Sequence, residues 1–224
     1  FVTIFGWYNK KVAYPLTLIG MALSLFSSYK VLCQVMENGQ LRYFLGNWPA
    51  PYGIELVADH LNALVLFMVA LVAFLTAIYS KESIERELPD KIPSFYTIFL
   101  LLITGLLGIT ITGDAFNLYV MLEIAALSSY GLLAFGKGRS VLSTFNYLIM
   151  GTMGACFYLL GVGYLLLKMG TLNMINLFNV LPSQYLSQGI FIAFIFIMLG
   201  LWVKMAFFPL HGWLPNAYSH APTA

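Results

Sequence analysis

The chain has 224 residues, 60% of them hydrophobic and 9% charged, with a formal net charge of +2. A soluble domain carries about 25% charged residues, so this is the composition of an integral membrane protein; the small net charge, with no basic run, argues against nucleic-acid binding. Cys33 and Cys156 lie in apolar segments without CxxC spacing, and no Gly-rich phosphate loop, HExxH or GxSxG occurs, so no metal or cofactor is expected.

The chain opens on Phe1 rather than Met, and Phe1–Trp7 reads as the tail of a helix that begins upstream. Hydropathy then predicts six full spans, at roughly 13–36, 57–80, 93–112, 115–135, 141–168 and 189–208, each near the ~20 residues a bilayer needs. Unpaired backbone is not tolerated in lipid, and runs of this length are too long for barrel strands, so the spans are helices. After the first, RYFLGNWPAPYGIEL (42–56) alternates aromatic residues around Pro49 and Pro51 and predicts a short extended or hairpin element at the outer surface. Only Gly113 and Asp114 separate the third and fourth spans, a tight turn whose aspartate caps the next helix. Gly151, Gly154, Gly161 and Gly163 predict close helix packing in the fifth. Segment 171–188 is amphipathic, with Leu172, Ile175, Leu177 and Phe178 toward one side, and is expected along the outer interface.

Basic residues alternate between loops. Lys10, Lys11, Lys81, Arg86, Lys91, Lys137 and Arg139 fall on one side, against Arg42, Lys30 and Lys168 on the other. The positive-inside rule makes the first set cytoplasmic; Glu82, Glu85, Glu87 and Asp90 of the 81–91 loop count little in that rule.

Two charges do not belong to loops. Glu123 sits eight residues into its span, about 12 Å deep at 1.5 Å per residue. Desolvation disfavours a carboxylate there unless a cation is nearby. Lys204 lies about fifteen residues into the last span. Pro209 follows it, removing a backbone donor, freeing the Met205 carbonyl and predicting a broken helix. Broken helices occur in membranes where backbone lines water or an ion site. Together an acid and a base at depth make an electrostatic switch for protons. His211 and His220 follow the break and titrate near neutral pH, as a relay requires.

Plainer roles stand beside these. Glu123 is also suited to a structural hydrogen bond, and Lys204 to snorkelling along its stem. Asp114 reads as a helix cap, Lys168 as interfacial, His220 as structural, and His211 as a relay or a loop hydrogen bond.

Three segments carry a family resemblance: GNWPAPYGIELVADHLNAL (46–64), GDAFNLYVMLEIAALSSYGLL (113–133) and KMAFFPLHGWLPNAYSHAPTA (204–224). The chain resembles the antiporter-like subunits shared by Mrp-type cation/proton antiporters, respiratory complex I and membrane-bound hydrogenases, and segment 46–64 looks most like the D-type member of the Mrp branch. The resemblance implies an all-α integral membrane protein, the N-terminal part of a fold of about fourteen helices with inverted five-helix repeats. Residues 1–92 are then N-terminal helices with the external loop, and 93–224 a first, incomplete repeat, so the chain is expected to be part of a longer protein. The motif glutamate falls on Glu123 and the lysine before PLH-x-WLP on Lys204, the family's proton-path pair. His211 matches a histidine of the complex I and hydrogenase branches, where the D-type Mrp proteins often carry another residue.

The resemblance implies a proton-translocating subunit of a multi-subunit complex in the inner (plasma) membrane. Its partners would be other integral membrane subunits, the lipid bilayer, protons and, in the Mrp case, Na+. Two alternatives remain: a pumping subunit of a redox complex, itself without a redox centre, and a non-conducting scaffold.

Overall fold

The computed structural model describes residues 2–8, 10–184 and 187–222. Among them the helices are α1 (Val2–Tyr8), α2 (Lys10–Asn38), α3 (His60–Glu87), α4 (Ile92–Ile111), α5 (Ala115–Leu133), α6 (Ser140–Met169), α7 (Met174–Gln184), α8 (Gln188–Lys204) and α9 (Trp213–Ser219). Strands β1 (Leu41–Phe44) and β2 (Glu55–Ala58) pair antiparallel with Leu41 opposite Ala58 and Phe44 opposite Glu55, the hairpin expected between the first two spans.

Five of these helices, in α2 to α6, are long and apolar enough to cross a membrane, and α8 is shorter at 17 residues. The chain is a multi-pass membrane protein. Three predicted boundaries are corrected. Span 57–80 begins later, because Glu55–Ala58 is β2 and Asp59 caps α3 by accepting the Asn62 N–H at 2.8 Å. A short apolar run does not distinguish strand from helix by periodicity. At its other end α3 continues to Glu87, so Lys81 to Glu87 form its last turns instead of a loop; Lys, Glu and Arg are good helix formers once outside the hydrocarbon.

The predicted span 189–208 ends four residues early, and Pro209 is not what ends it. The Phe207 N–H bonds the Trp202 carbonyl at 2.9 Å, the Ala206 N–H bonds the Val203 carbonyl at 3.2 Å, and Ala206 has φ 51°. This is a Schellman end with alanine in the left-handed position. Met205 is already past the last helical residue, so the helix break comes from the local left-handed turn.

Small residues bring the helices together. The buried stripe of α3 is Ala63, Leu66, Ala70, Ala73, Ala77, Ser80 and Ile84, a three–four spacing in which the lipid-facing side carries the larger Leu61, Met68, Val72 and Leu75. Without a hydrophobic force between helices in lipid, close approach of small residues supplies the attraction. On α6 and α8 the device is glycine. A methyl at Gly200 would stand 2.6 Å from the Gly154 carbonyl and 2.7 Å from the Tyr158 nitrogen, and one at Gly161 would meet the Ala193 carbonyl at 2.8 Å. Gly163, expected to join them, faces open space.

The two ends of the bundle differ. At one, Lys10 lies 3.1 Å from Asp90, and Lys91 sits 5.4 Å from the Phe135 ring centre. At the other, the turn 112–114 is stitched to its neighbours by backbone hydrogen bonds: Gly113 N–H to Glu55, Met174 N–H to Gly113 and Ala115 N–H to Leu172, at 2.8 to 2.9 Å.

Gly200→Ala is expected to destabilise the protein by about 1–3 kcal/mol, because the clash is with backbone that cannot swing aside, while Gly163→Ala stays near neutral. Unfolding of both variants in detergent checks this; equal effects would mean that the α6–α8 contact is not the close one described.

Candidate functional site

Glu123 is the ninth residue of α5, and Lys204 the last of α8. The Lys204 Nζ donates to Glu123 Oε1 at 2.7 Å, and the side chains are 14% and 23% exposed. The two are 81 residues apart in sequence. Their meeting depends on α6, which packs against both α5 and α8.

The depth of the pair follows from one hydrogen bond. The Tyr158 hydroxyl, in the middle of α6, donates to the carbonyl of Ala115 at 3.0 Å. The N-terminal end of α5 is therefore recessed about 16 Å below the C-terminal end of α6, counted over eleven residues. Glu123 lies about 12 Å deeper still, far from either end of α6. At that depth a lone charge is expensive, and pairing with a second hydrogen-bonded charge offsets the desolvation. Lys204 has a further source of stabilisation, since the C-terminal turn of a helix carries partial negative charge.

An aromatic run borders the pair. Tyr130, two turns beyond Glu123 on α5, meets Tyr147 of α6 edge-on at 4.6 Å between ring centres, and Tyr147 stacks on Trp213 of α9 at 4.1 Å and 3°. Tyr119, Tyr130 and Tyr147 are within electrostatic reach of Glu123. A cleft of about 450 Å³ opens where α8 has ended, between Asn146 and Met150 on α6 and Pro209, Trp213 and Asn216. The arrangement can hold a proton in a short hydrogen bond between acid and base.

His211 is not brought to the pair. It lies exposed on the loop between α8 and α9, its ring 5.5 Å from that of Phe208. His220 Nδ1 is within hydrogen-bond distance of the Asn216 carbonyl at 2.9 Å and of Ser143 Oγ at 3.3 Å, a structural position. Asp114 caps α5, accepting the Asn117 N–H at 2.8 Å. Lys168 is exposed near the end of α6, with its stem over Gly189.

Sequence reasoning missed a buried polar cluster at the end of the bundle that carries the 112–114 turn. Glu55 is 2% exposed; its Oε2 accepts from Asn173 Nδ2 at 2.6 Å, and Arg42 lies 3.7 Å from Oε1. Asn117 Nδ2 donates to Thr112 Oγ1 at 2.8 Å nearby. Glu55 and Asn173 are 118 residues apart, with no local pattern to link them. A weak signal was present at Asn173, whose side chain accepts the Asn176 N–H at 3.0 Å as an N-cap asparagine does.

Known proteins share this geometry and sequence. The family model for the NADH:quinone oxidoreductase/Mrp antiporter transmembrane region matches residues 112–224. The chain is 46% identical over 206 residues to the N-type subunit of NADH-quinone oxidoreductase from Desulforudis audaxviator (strain MP104C), covering 91% of the chain and 41% of that protein. It is 30% identical over 204 residues to the D-type subunit of the Na(+)/H(+) antiporter from Bacillus subtilis (strain 168), again covering 91% and 41%. In the membrane-bound sulfane sulfur reductase, an archaeal respiratory membrane complex, a chain of 32% identity superposes with a TM-score of 0.92 over 99% of this chain and 45% of that one. The chain thus spans less than half the length of these relatives.

Removing one partner strands the other charge at depth. Glu123→Ala and Lys204→Ala are each expected to destabilise by about 3 kcal/mol, and the double variant by clearly less than their sum. A double-mutant cycle on unfolding in detergent measures this; strict additivity would show the pair uncoupled.

Proposed function

The chain belongs to the NADH:quinone oxidoreductase/Mrp antiporter transmembrane family, and from that premise we propose that it is a proton-translocating part of a subunit in a multi-subunit complex of the cell membrane. The observation that carries the proposal is the 2.7 Å hydrogen bond between Lys204 and Glu123 at membrane depth. While the carboxylate stays close, the ammonium is stabilised and its proton held; when the two separate, the lone charges are disfavoured and the lysine proton is released. We assign the exit of that proton to the C-terminal end of α8, where a cleft between α6 and the 209–216 segment carries Asn146 and Asn216 in its lining. His211, exposed on the loop, fits a role at the mouth of such a path better than one between the pair.

In the first reading the protons exchange for a monovalent cation such as Na+, as the names of the Na(+)/H(+) antiporter relatives suggest. A second reading, in which electron transfer in partner subunits drives the pumping, is favoured by the 46% identity to an NADH-quinone oxidoreductase protein. Partner membrane subunits are common to both readings. The whole complex, purified through the full-length protein, separates them: iron–sulfur absorbance in the assembly supports the redox drive, and cation-dependent proton flux without it supports exchange.

Proton translocation by that complex in vesicles, per assembled complex, is expected to be abolished in Glu123→Gln and Lys204→Met, which keep side-chain size while removing the charge. Wild-type rates in both variants would overturn the conduction reading and leave a scaffold.

A further inference from the structure

The two halves of the ion pair are joined by a second route that does not pass through their charges. The carbonyl of Val203, the residue before Lys204, accepts two hydrogen bonds: from the Ala206 N–H at 3.2 Å and from the Trp213 indole N–H at 3.2 Å. The last four carbonyls of a helix have no partner within the helix, so an indole donor here is an added constraint on its end. It acts on a turn that needs one, since Ala206 holds φ 51°, a conformation that residues with a Cβ avoid.

The indole is itself fixed. Trp213 is 7% exposed and lies parallel to Tyr147, which meets Tyr130 edge-on. Tyr130 is on α5, seven residues after Glu123, and therefore on the same side of that helix. Its hydroxyl lies against Gly151, where any side chain would overlap it. The contacts thus run from the Glu123 helix through Tyr130, Tyr147 and Trp213 to the backbone of Lys204.

We propose that Trp213 is a positioning residue: its indole N–H fixes the backbone of Lys204 relative to α5, so that the ion pair opens and closes by motion of the lysine side chain alone. The inference rests on the reading of Glu123 and Lys204 as the proton-carrying pair. An unconstrained end would let α8 move away as the pair opened, and the lysine would return to its partner less often. Trp213 need not touch the proton; its effect passes through the Val203 carbonyl.

Trp213→Phe keeps an aromatic ring on Tyr147 and deletes the N–H. The test uses the full-length protein in its reconstituted complex, with a pH-sensitive dye reporting translocation under the driving condition that supports the wild-type rate. The maximal rate per assembled complex is expected to fall about tenfold, with the half-saturating concentration of the driver and the yield of complex unchanged. Trp202→Phe, the same substitution on the Phe207-facing indole of α8, should leave the rate as it is. A wild-type rate per complex in Trp213→Phe, whether or not yield falls, overturns positioning, and if Lys204→Met is then inactive the conduction reading still stands. Wild-type rates in both Trp213→Phe and Lys204→Met overturn the conduction reading as well. Should the phenylalanine variant not assemble, benzothienylalanine at position 213, the same shape without the N–H, carries the same outcomes.

Discussion

A backbone group without a hydrogen-bond partner is not tolerated in hydrocarbon, and most of the architecture is a response to that constraint. Long helices satisfy their own interiors and leave their ends as the difficulty. Where the α4–α5 turn dips below the end of α6, its N–H and C=O groups are taken up by β2, by the segment before α7 and by the Tyr158 hydroxyl. Where α8 stops at Lys204, the carbonyls of Trp202 and Val203 are taken up by a left-handed turn and by an indole. Both irregular places lie beside charged or polar side chains, and in both the protein itself does what water does elsewhere.

The ion pair follows from this arrangement of ends. Glu123 is held at depth because α5 starts low; Lys204 reaches it because α8 ends there. Close packing allows the approach: glycine at 154, 161 and 200 lets α8 lie on α6 with backbone nearly touching backbone, and Gly105 does the same for α4 on the backbone of Ala125. Larger residues at these contacts would push α8 outward and lengthen a 2.7 Å hydrogen bond whose favourable energy falls steeply with distance.

The ends of the bundle are held by unlike means. The exposed Lys10–Asp90 pair on the basic side contributes little, as surface ion pairs do. The Glu55–Asn173 contact on the opposite side is buried, joins the hairpin to the start of α7, and covers the recessed turn. A polar cluster of this kind is stable only when nearly all of its members have partners, so the hairpin and α7 act as one cap over the α5 end.

By itself the sequence determined the membrane class, the helical spans, the hairpin between the first two of them, the tight turn at 113–114 and the two anomalous charges, because each is written in local hydropathy, turn chemistry or the cost of charge in lipid. Its errors were local too: the apolar residues 57–58 read as helix although they pair as strand, and Pro209 drew attention away from Ala206, whose left-handed turn leaves no mark in a sequence. Only the tertiary structure decided that Glu123 and Lys204 meet, that His211 stands apart from them, that Glu55 is buried against Asn173, and that Trp213 holds the end of α8. Those contacts join residues far apart in the chain, and their distances depend on how small residues let helices pack, which no local pattern encodes.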